Sequence, residues 1–455
     1  LFVCLALALN MFKFRNKKFT LLILVIAVIL TSLALSLLKI ETAQNLSGER
    51  VSESFVITSS PYYTGGNFSA DATCLSNNTL KKGDKIRLYY DKADLEVGDV
   101  FSGSLKLSHL EDNRYKSSYY SEGIYIVGYI TQIERLSDDS SVLCLLPKLR
   151  RSIKEVLNNA PISYEAKSIS SAVTIGNRNE FTESFKADIK SAGVSHVFVI
   201  SGMHLVILMG SVLKFLSSKV YKKQIYALVA FSGVFLIAFI CGFTMSIIRA
   251  AIMYVLFAAA PLFERDNDPL NSLASTVCLI SAVSPYAIFS IAFQLSMAAT
   301  FGIVVLTDFI SQKICLVLRI KNIILSKIVA VASVTISATV MTAPIAVYHF
   351  GFLSTMGIIT NLLITYAVTY LLILSAIGIV AGLILPSAIV SSAPLYVSGV
   401  LSEYSVAIIK YFANLPFSAV PLSRWTTVIF VLIAALLVVY RYTDRKYKYV
   451  IGRRV

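Results

Sequence analysis

Residues 196–208 read HVFVISGMHLVIL, and this stretch decides how the chain is interpreted, because an apolar run of this kind predicts a membrane segment. Two histidines, a serine and a glycine stand in it where lipid would favour plain hydrocarbon side chains. Either these residues face something other than lipid, or the segment does not span the bilayer. The first alternative predicts a channel, and the second a passive membrane protein.

The composition favours a polytopic membrane protein. Of the 455 residues, 56% are hydrophobic and 15% are charged, whereas soluble domains average about 25% charged residues. The net charge of +15 is unevenly distributed: residues 41–193 contain 20 acidic and 18 basic residues, and the rest contains 6 acidic and 23 basic ones. The basic residues outside 41–193 stand in short runs beside apolar segments, which is the pattern that keeps Lys and Arg in the cytoplasm. The basicity therefore indicates membrane orientation more than nucleic-acid binding.

The apolar runs predict about ten membrane segments. Residues 1–40 are interpreted as a basic flank, with Met11 as the expected initiator, followed by a membrane anchor. Its apolar run, 19–38, exceeds the 7–15 residues of a signal-peptide core, so we expect the anchor to be retained. Residues 194–440 are predicted to form a transmembrane domain, and residues 441–455 a basic cytoplasmic tail. The predicted segments after the anchor are 194–216, 225–243, 245–263, 270–284, 287–306, 328–347, 355–385, 393–412 (a crossing or a re-entrant element) and 425–440.

Residues 41–150 have a different character. Four short runs rich in β-branched and aromatic residues alternate with turn residues and predict a small sandwich or partly open barrel. They are RVSESFVITSS, DKIRLYY, VFSGSLKLS and GIYIVGYITQIERL. With the N-terminus in the cytoplasm, this β-rich domain is extracytoplasmic. Residues 151–193 are predicted to be an amphipathic membrane-surface region, led by a helix with Leu149, Ile153, Val156 and Leu157 on one face.

Cys74 and Cys144 both fall in the extracytoplasmic part. A pair of cysteines in an oxidising compartment predicts a disulfide; two unpaired small apolar side chains are the alternative.

Polar residues in the apolar half have two possible roles. His196 and His204 are eight residues apart, which places them about 80° apart on a helix, and no carboxylate in these segments completes a metal site. Ser201 and His204 match a serine hydrolase only loosely. The histidines therefore either bond neighbouring helices or line a water-filled path. Arg249 either reaches towards headgroups or contacts an anionic substrate.

Residues 192–208 resemble the signature of the ComEC competence proteins, A-G-x-x-H-x-x-x-I-S-G-x-H. Matches in the same order follow at RAAIM (249–253), FQLS (293–296), APIAVYHFG (343–351), TNLL (360–363) and ANLP (413–416), so that the resemblance covers about residues 170–420. The matching signature residues are Ala192, Gly193, His196, Ile200, Ser201, Gly202 and His204.

This resemblance implies a multi-pass channel in the inner, cytoplasmic membrane that moves single-stranded DNA during natural transformation. It also implies an OB-like extracytoplasmic domain, which would bind single strands by base stacking beside a positive groove. The expected DNA path contains His196, Ser201, Gly202, His204, Arg249, Gln294, Ser296 and Asn361. The expected DNA-binding residues of the β-rich domain are Lys81, Lys82, Lys85, Arg87, Tyr89 and Tyr90.

The same resemblance implies partners: single-stranded DNA, membrane lipids, a periplasmic DNA receptor, a separate nuclease, and a cytoplasmic motor or single-strand-binding protein. Many ComEC-like proteins carry a C-terminal metallo-β-lactamase-like domain, but no histidine follows His349. We therefore expect no metal, no cofactor and no enzymatic activity in this chain. A small-molecule or lipid-precursor transporter and a non-catalytic membrane scaffold remain alternatives, and salt-sensitive binding of single strands distinguishes the channel from both.

Overall fold

A computed structural model describes residues 18–443, apart from 60, 65–66, 92–94, 96, 111–115, 136–141, 159–161, 199–201, 203, 207, 211–222, 242–244, 261–267 and 385–387. Helix α1 comes first, and a β-rich region and a predominantly helical region follow it. The bounds of the elements up to the first half of the chain are α1 Lys18–Asn45, β1 Arg50–Ile57, β2 Tyr62–Thr64, β3 Asn67–Cys74, β4 Lys85–Tyr90, β5 Val100–His109, α2 Lys116–Ser121, β6 Ile124–Arg135, α3 Val142–Asn158, α4 Tyr164–Ile175 and α5 Glu183–Ser191.

The second half is helical with one small hairpin. Its elements are α6 Lys223–Ile240, α7 Met245–Ala259, α8 Pro269–Val283, a 3₁₀ turn Pro285–Phe289, α9 Ile291–Val317, α10 Ile323–Phe350, β7 Phe352–Ser354, α11 Gly357–Ile384, α12 Ala388–Ala413, β8 Ala419–Pro421 and α13 Thr426–Thr443.

The predicted β-rich region is present as a six-stranded sheet in the order β1-β5-β6-β4-β3-β2. An additional pairing of β1 with β3 joins the two sides of the sheet, so five strands close on one another. The β4–β6 pair is parallel, and the other pairs are antiparallel. Alternating side chains fill the interior; Phe55, Leu88 and Phe101 are among those fully buried. The strand pattern in the sequence therefore predicted β1, β4, β5 and β6, and missed β2 and β3.

A buried carboxylate fixes the 75–80 loop against β1. Glu53 lies on the inward face of β1, where Oε1 accepts hydrogen bonds from the backbone N–H groups of Thr79 (2.7 Å) and Leu80 (3.1 Å). Its Oε2 accepts hydrogen bonds from the Ser76 hydroxyl and, at 3.8 Å, from the Cys74 thiol. Burial alone would raise the pKa of Glu53, but the bonds from Ser76 and the loop backbone outweigh it and hold that pKa below its usual value.

The structure does not support the predicted disulfide. Cys74 is a free, buried cysteine whose thiol bonds to Glu53. The backbone of Cys144 lies in α3, and its side chain is outside the described part of the chain. A free thiol in this position acts as a small apolar side chain with a weak donor.

Among the described residues, five helices are long and apolar enough to cross a membrane: Ala27–Asn45, Ile291–Val317, Ile323–Phe350, Gly357–Gly382 and Thr426–Thr443. They correspond to the predicted anchor and to four of the other predicted segments. Shorter apolar helices, Leu228–Ile240, Ser246–Ala259 and Pro269–Val283, match three further segments. Predicted segment 393–412 lies in α12. The total of about ten crossings stays a prediction, as do the domain boundaries.

The amphipathic helix predicted to lie on the membrane surface is α3, and its apolar face is covered by protein. Ile153 and Leu157 are buried in a cluster with Ile175 of α4, Ile379 of α11 and Leu395 of α12. Hydrophobic periodicity predicts an apolar face but does not say whether lipid or protein covers it. Here other helices cover it.

Arg150, which lies two turns before Leu157 on the same side of α3, joins the β-rich and helical regions. Its Nε donates to the carbonyl oxygen of Ile240 (2.8 Å), Nη1 to that of Thr58 (3.2 Å) and Nη2 to that of Ile175 (3.4 Å). Ile240 and Ile175 are the last residues of α6 and α4, and Thr58 follows β1. Helix C-termini expose unpaired carbonyls with partial negative charge, so one guanidinium satisfies three chain ends at once.

The contacts of Glu53 predict that the backbone amides of the 75–80 loop are protected from hydrogen exchange in a pH-dependent way. Because the folded-state pKa of Glu53 is lowered, its contribution to stability is complete well above the ordinary value of about 4.3 and is lost as the pH falls through the folded pKa. We expect Glu53→Gln to speed amide exchange of Thr79 and Leu80 about tenfold at neutral pH and to weaken its pH dependence.

Hydrogen–deuterium exchange of the full chain, corrected for the intrinsic pH dependence, measures this protection. Unchanged exchange at Thr79 and Leu80 in Glu53→Gln would contradict the assignment, and exchange in β6 serves as the internal control.

Candidate functional site

The signature residues form a tight turn after α5. The N–H of Gly193 donates to the Lys190 carbonyl (3.1 Å), the N–H of Val194 to that of Ile189 (3.1 Å), and the N–H of Val197 to that of Val194 (2.9 Å). The turn therefore ends the helix by reversing the chain, and the next described residues, from 202 onwards, are helical.

Position 193 of this turn requires glycine. Its φ is +76°, in the left-handed region, and a Cβ added to it would lie 2.5 Å from Ser354 Oγ and 2.8 Å from Gly357 Cα. The Ser354 hydroxyl donates to the Ser191 carbonyl at 2.8 Å. The signature turn is thus pressed against β7 and the first residue of α11.

This contact brings His196 to Asn361, although 165 positions separate them in the sequence. His196 is exposed and is hydrogen-bonded to the Asn361 side chain and to the Gly193 backbone. Asn361 Nδ2 donates to Thr335 Oγ1 (2.9 Å) on α10, and Asn361 Oδ1 accepts from Thr365 Oγ1 (3.1 Å) on α11. The result is a neutral polar cluster, here called the His196 cluster: His196, Thr335, Asn361 and Thr365.

His204 lies on the following helical stretch and is 1% exposed. It is close enough to His196 for their charges to interact. The prediction that the two histidines point about 80° apart assumed one continuous helix, and it was wrong because His196 belongs to the preceding turn. Ser201, between them, lies outside the described residues.

Gly202 links this stretch to α7. A Cβ on Gly202 would lie 3.3 Å from Ala250 Cβ, so the two backbones approach closely. The next residue of α7 towards its N-terminus is Arg249, which is buried. Its Nη1 donates to the carbonyl oxygens of Ala292 (2.8 Å) and Phe293 (3.0 Å) in the first turn of α9. Arg249 therefore ties α7 to α9 and does not reach a headgroup region from an exposed position.

The two other predicted path residues lie at the start of α9. Gln294 Nε2 donates to the Ile288 carbonyl at 3.2 Å. This hydrogen bond links the 3₁₀ turn to the first turn of α9. Ser296 is half-buried two residues after Gln294. The structure thus brings His196, His204 and Asn361 together, and it connects Gly202, Arg249 and Gln294 through α7 and α9.

The predicted DNA-binding residues of the β-rich region do not form one surface. Lys81, Lys82 and Lys85 are exposed. Arg87 is 7% exposed and is paired with Asp71 (2.6 Å), while the inward-facing Tyr90 is buried in the core. The charge of Arg87 is therefore neutralised inside the protein, and Tyr90 has a structural role.

On the outer face of the same sheet, the predicted residue Tyr89 stacks on Tyr129, which was not among the predicted DNA-binding residues. The rings of Tyr89 and Tyr129 lie 5.5 Å apart, and Tyr129 is 44% exposed. The exposed Lys106 is the cross-strand neighbour of Tyr129. The alternation of Tyr125, Val127 and Tyr129 in β6 was the signal for this face, because residues two apart on a strand share one side.

Among the described residues, no three His, Cys, Asp or Glu side chains are grouped so that they could hold a metal ion.

Comparisons with known proteins identify the family of the chain. The family model described as Competence protein matches residues 173–446, a range that contains the His196 cluster, Arg249 and the 413–416 turn. The chain belongs to the competence protein family.

The chain is similar to the ComE operon protein 3 of Bacillus subtilis (strain 168), with 21% identity over 256 residues. The match covers 56% of this chain and 31% of that protein, so the chain spans about a third of the relative's length. No solved structure gives a significant match to the chain.

Gly193 provides a test of the competence-family turn. Gly193→Ala adds a left-handed alanine, which costs about 1–2 kcal/mol, and a backbone clash of about 1–3 kcal/mol. Gly351→Ala is the matched control, because Gly351 has a φ of +75° with nothing within 4 Å of an added Cβ. We expect Gly193→Ala to lower the thermal unfolding midpoint of the purified protein in detergent more than Gly351→Ala does. Equal effects of the two substitutions would contradict the packing of Gly193 against Ser354 and Gly357.

Proposed function

We propose that this competence-family protein is a multi-pass channel of the cytoplasmic membrane that passes a single strand of DNA during natural transformation. The observation that carries the proposal is the His196 cluster. Its members come from the signature turn and from two membrane-length helices, and His196 remains open while its neighbours Val197 and Phe198 are buried. Polar groups that stay open in the apolar half of a membrane protein are typical of a water-filled path.

The chemistry of the cluster suits passage of a charged polymer. A path for DNA needs hydrogen-bond donors for phosphate, with contacts weak enough to release each nucleotide. Imidazole, amide and hydroxyl groups supply neutral donors of this kind. The positive charge of Arg249 is already bonded to the Ala292 and Phe293 carbonyls, which favours a positioning role over direct capture of phosphate.

The membrane arrangement belongs to the same proposal. We infer ten crossings, with the β-rich region and the His196 turn on the outer side and the basic tail in the cytoplasm. The contacts of the β-rich region with the 3₁₀ turn between α8 and α9 support this: the Ser117 hydroxyl donates to the Phe289 carbonyl (3.2 Å), and the Tyr120 and Tyr286 rings are 5.2 Å apart. That turn joins the end of one crossing to the start of the next.

The β-rich region is proposed to be OB-like and to receive the strand outside the membrane. Closure of five strands with one parallel pair supports an OB-like barrel. The stacked Tyr89–Tyr129 pair, with Lys106 beside it, offers a π-surface and a cation to a single strand. A periplasmic receptor that delivers DNA, a nuclease that removes the other strand, and a cytoplasmic motor or single-strand-binding protein complete the proposed pathway. The chain itself is proposed to be non-enzymatic.

Uptake of labelled transforming DNA tests the proposal in competent cells that lack this gene and are complemented with variants. Removal of the His196 side chain leaves Asn361 with an unmet hydrogen bond at the proposed mouth. We therefore expect His196→Ala to reduce cytoplasmic DNA about tenfold or more, with DNA still bound outside. His109→Ala is the control, because His109 lies at the end of β5, and membrane insertion of each variant is checked by immunoblotting.

DNA entry in cells without the gene would contradict the channel. Normal uptake by His196→Ala would remove His196 from the path. If cells without the gene take up DNA normally but fail to take up a small solute or lipid precursor, that result would favour the transporter alternative.

A further inference from the structure

The 413–416 motif ANLP leads into a strained turn that displays an aromatic ring. Phe417 has a φ of +67° and is 80% exposed. A bulky residue in the left-handed region is a conformational outlier, and such strain persists only where the surroundings fix it. The strain is therefore a property of the folded turn and not of a free chain end.

Four hydrogen bonds fix this turn from both sides. The N–H of Ser418 donates to the Leu415 carbonyl (3.1 Å), and the Ser418 hydroxyl donates to the Ala413 carbonyl (2.9 Å). Thr355, which follows β7, donates its hydroxyl to the Phe417 carbonyl (2.6 Å) and its N–H to the Ser418 carbonyl (3.1 Å). The backbone of Phe417 is thus bound to the protein, while its ring has no covering.

Other exposed aromatic residues stand at the same ends of the helices. Tyr348 and Phe350 lie in the last turn of α10, and Trp425 immediately precedes α13 and is 84% exposed. The β7–β8 pair brings these ends together, with Phe352 opposite Pro421 and Ser354 opposite Ala419. We call the exposed set Tyr348, Phe350, Phe417 and Trp425 the aromatic rim.

The helices that lead away from the rim are lipid-facing in character. In the apolar 18-residue stretch of the helix Ile323–Phe350, 17% is buried inside the protein, and in that of Thr426–Thr443, 6% is buried. The aromatic rim therefore lies at the end of α10 and the start of α13, where their exposed apolar surfaces stop. Arg424 lies there too, with its guanidinium 6.0 Å from the centre of the Tyr348 ring. Aromatic rings with a neighbouring Arg at helix ends are typical of the boundary between headgroups and acyl chains.

We propose that the aromatic rim is a membrane-interface anchor, with Phe417 held in its strained turn so that the ring inserts at the headgroup–acyl boundary. The occupant of this surface is the lipid bilayer. Because Thr355 holds the Phe417 turn and Ser354 holds the signature turn, the anchor also fixes the depth at which His196 opens. The inference rests on the membrane arrangement proposed above and does not require that the transported molecule be DNA.

The protein contains one tryptophan, Trp425, which makes the test direct. The full chain is reconstituted into phosphatidylcholine–phosphatidylglycerol vesicles whose lipids carry bromine at shallow or deep acyl positions, and tryptophan quenching is compared. The second protein carries Trp425→Phe with Phe417→Trp, which moves the reporter to the turn. The third carries Trp425→Phe with Leu436→Trp, an exposed position in the middle of α13. Residue 436 lies about 16 Å further along the helix, near the centre of a hydrocarbon core of about 30 Å.

We expect residues 425 and 417 to be quenched more by shallow than by deep bromines, and residue 436 to show the reverse order. Both rim positions should also resist iodide in the aqueous phase. If residue 417 is quenched by iodide and not by brominated lipid, while residue 436 is quenched by deep bromines, the turn projects into water and the anchor is wrong. Deep quenching at residue 425 would equally overturn the proposal, because the rim would then lie inside the hydrocarbon core.

Discussion

The arrangement of the helical region depends on the close contact of Gly193 with Ser354 and Gly357. A residue with any side chain would push the signature turn away from the start of α11. With glycine there, the chain after α5 turns back against β7, and apolar residues on both sides of it, including Val194, Val197 and Phe198, join the core shared by α4, α5, α11 and α12. The same contact leaves His196 within reach of Asn361. One missing Cβ therefore determines both the packing of this core and the composition of the candidate site.

Two buried arginines connect other elements of the molecule by bonding to backbone carbonyls. Arg150 bonds to the carbonyl oxygens that end α4, α6 and β1, and Arg249 bonds to carbonyls in the first turn of α9. Carbonyls supply partial charge without adding a second full charge that must be desolvated. Each guanidinium thus orients several elements at once. The β-rich region and the helical region are connected through Arg150, and α7 and α9 are connected through Arg249.

The sequence was sufficient for most local elements and for the family, and insufficient for two strands and for what the elements contact. β-branched and aromatic alternation predicted β1, β4, β5 and β6, whereas β3 (NFSADATC) is built from small residues with weak strand preference and is recognisable only by its pairing. Periodicity predicted the apolar face of α3 but not the protein that covers it. The role of Arg87 depended on Asp71, a cross-strand neighbour that no local pattern reveals. The meeting of His196 with Asn361 could not be derived, because it depends on a tertiary contact between segments far apart in the chain.

The central claim is that the open side of the His196 cluster borders the path of the transported strand. The most direct measurement places a photo-cross-linking amino acid at position 196 in competent cells and, as a control, at the exposed position 436 of α13, and then illuminates during uptake of labelled DNA. The account predicts that DNA is captured at position 196 and that position 436 captures lipid but no DNA. Capture of DNA at neither position during active uptake, or equal capture at both, would contradict it.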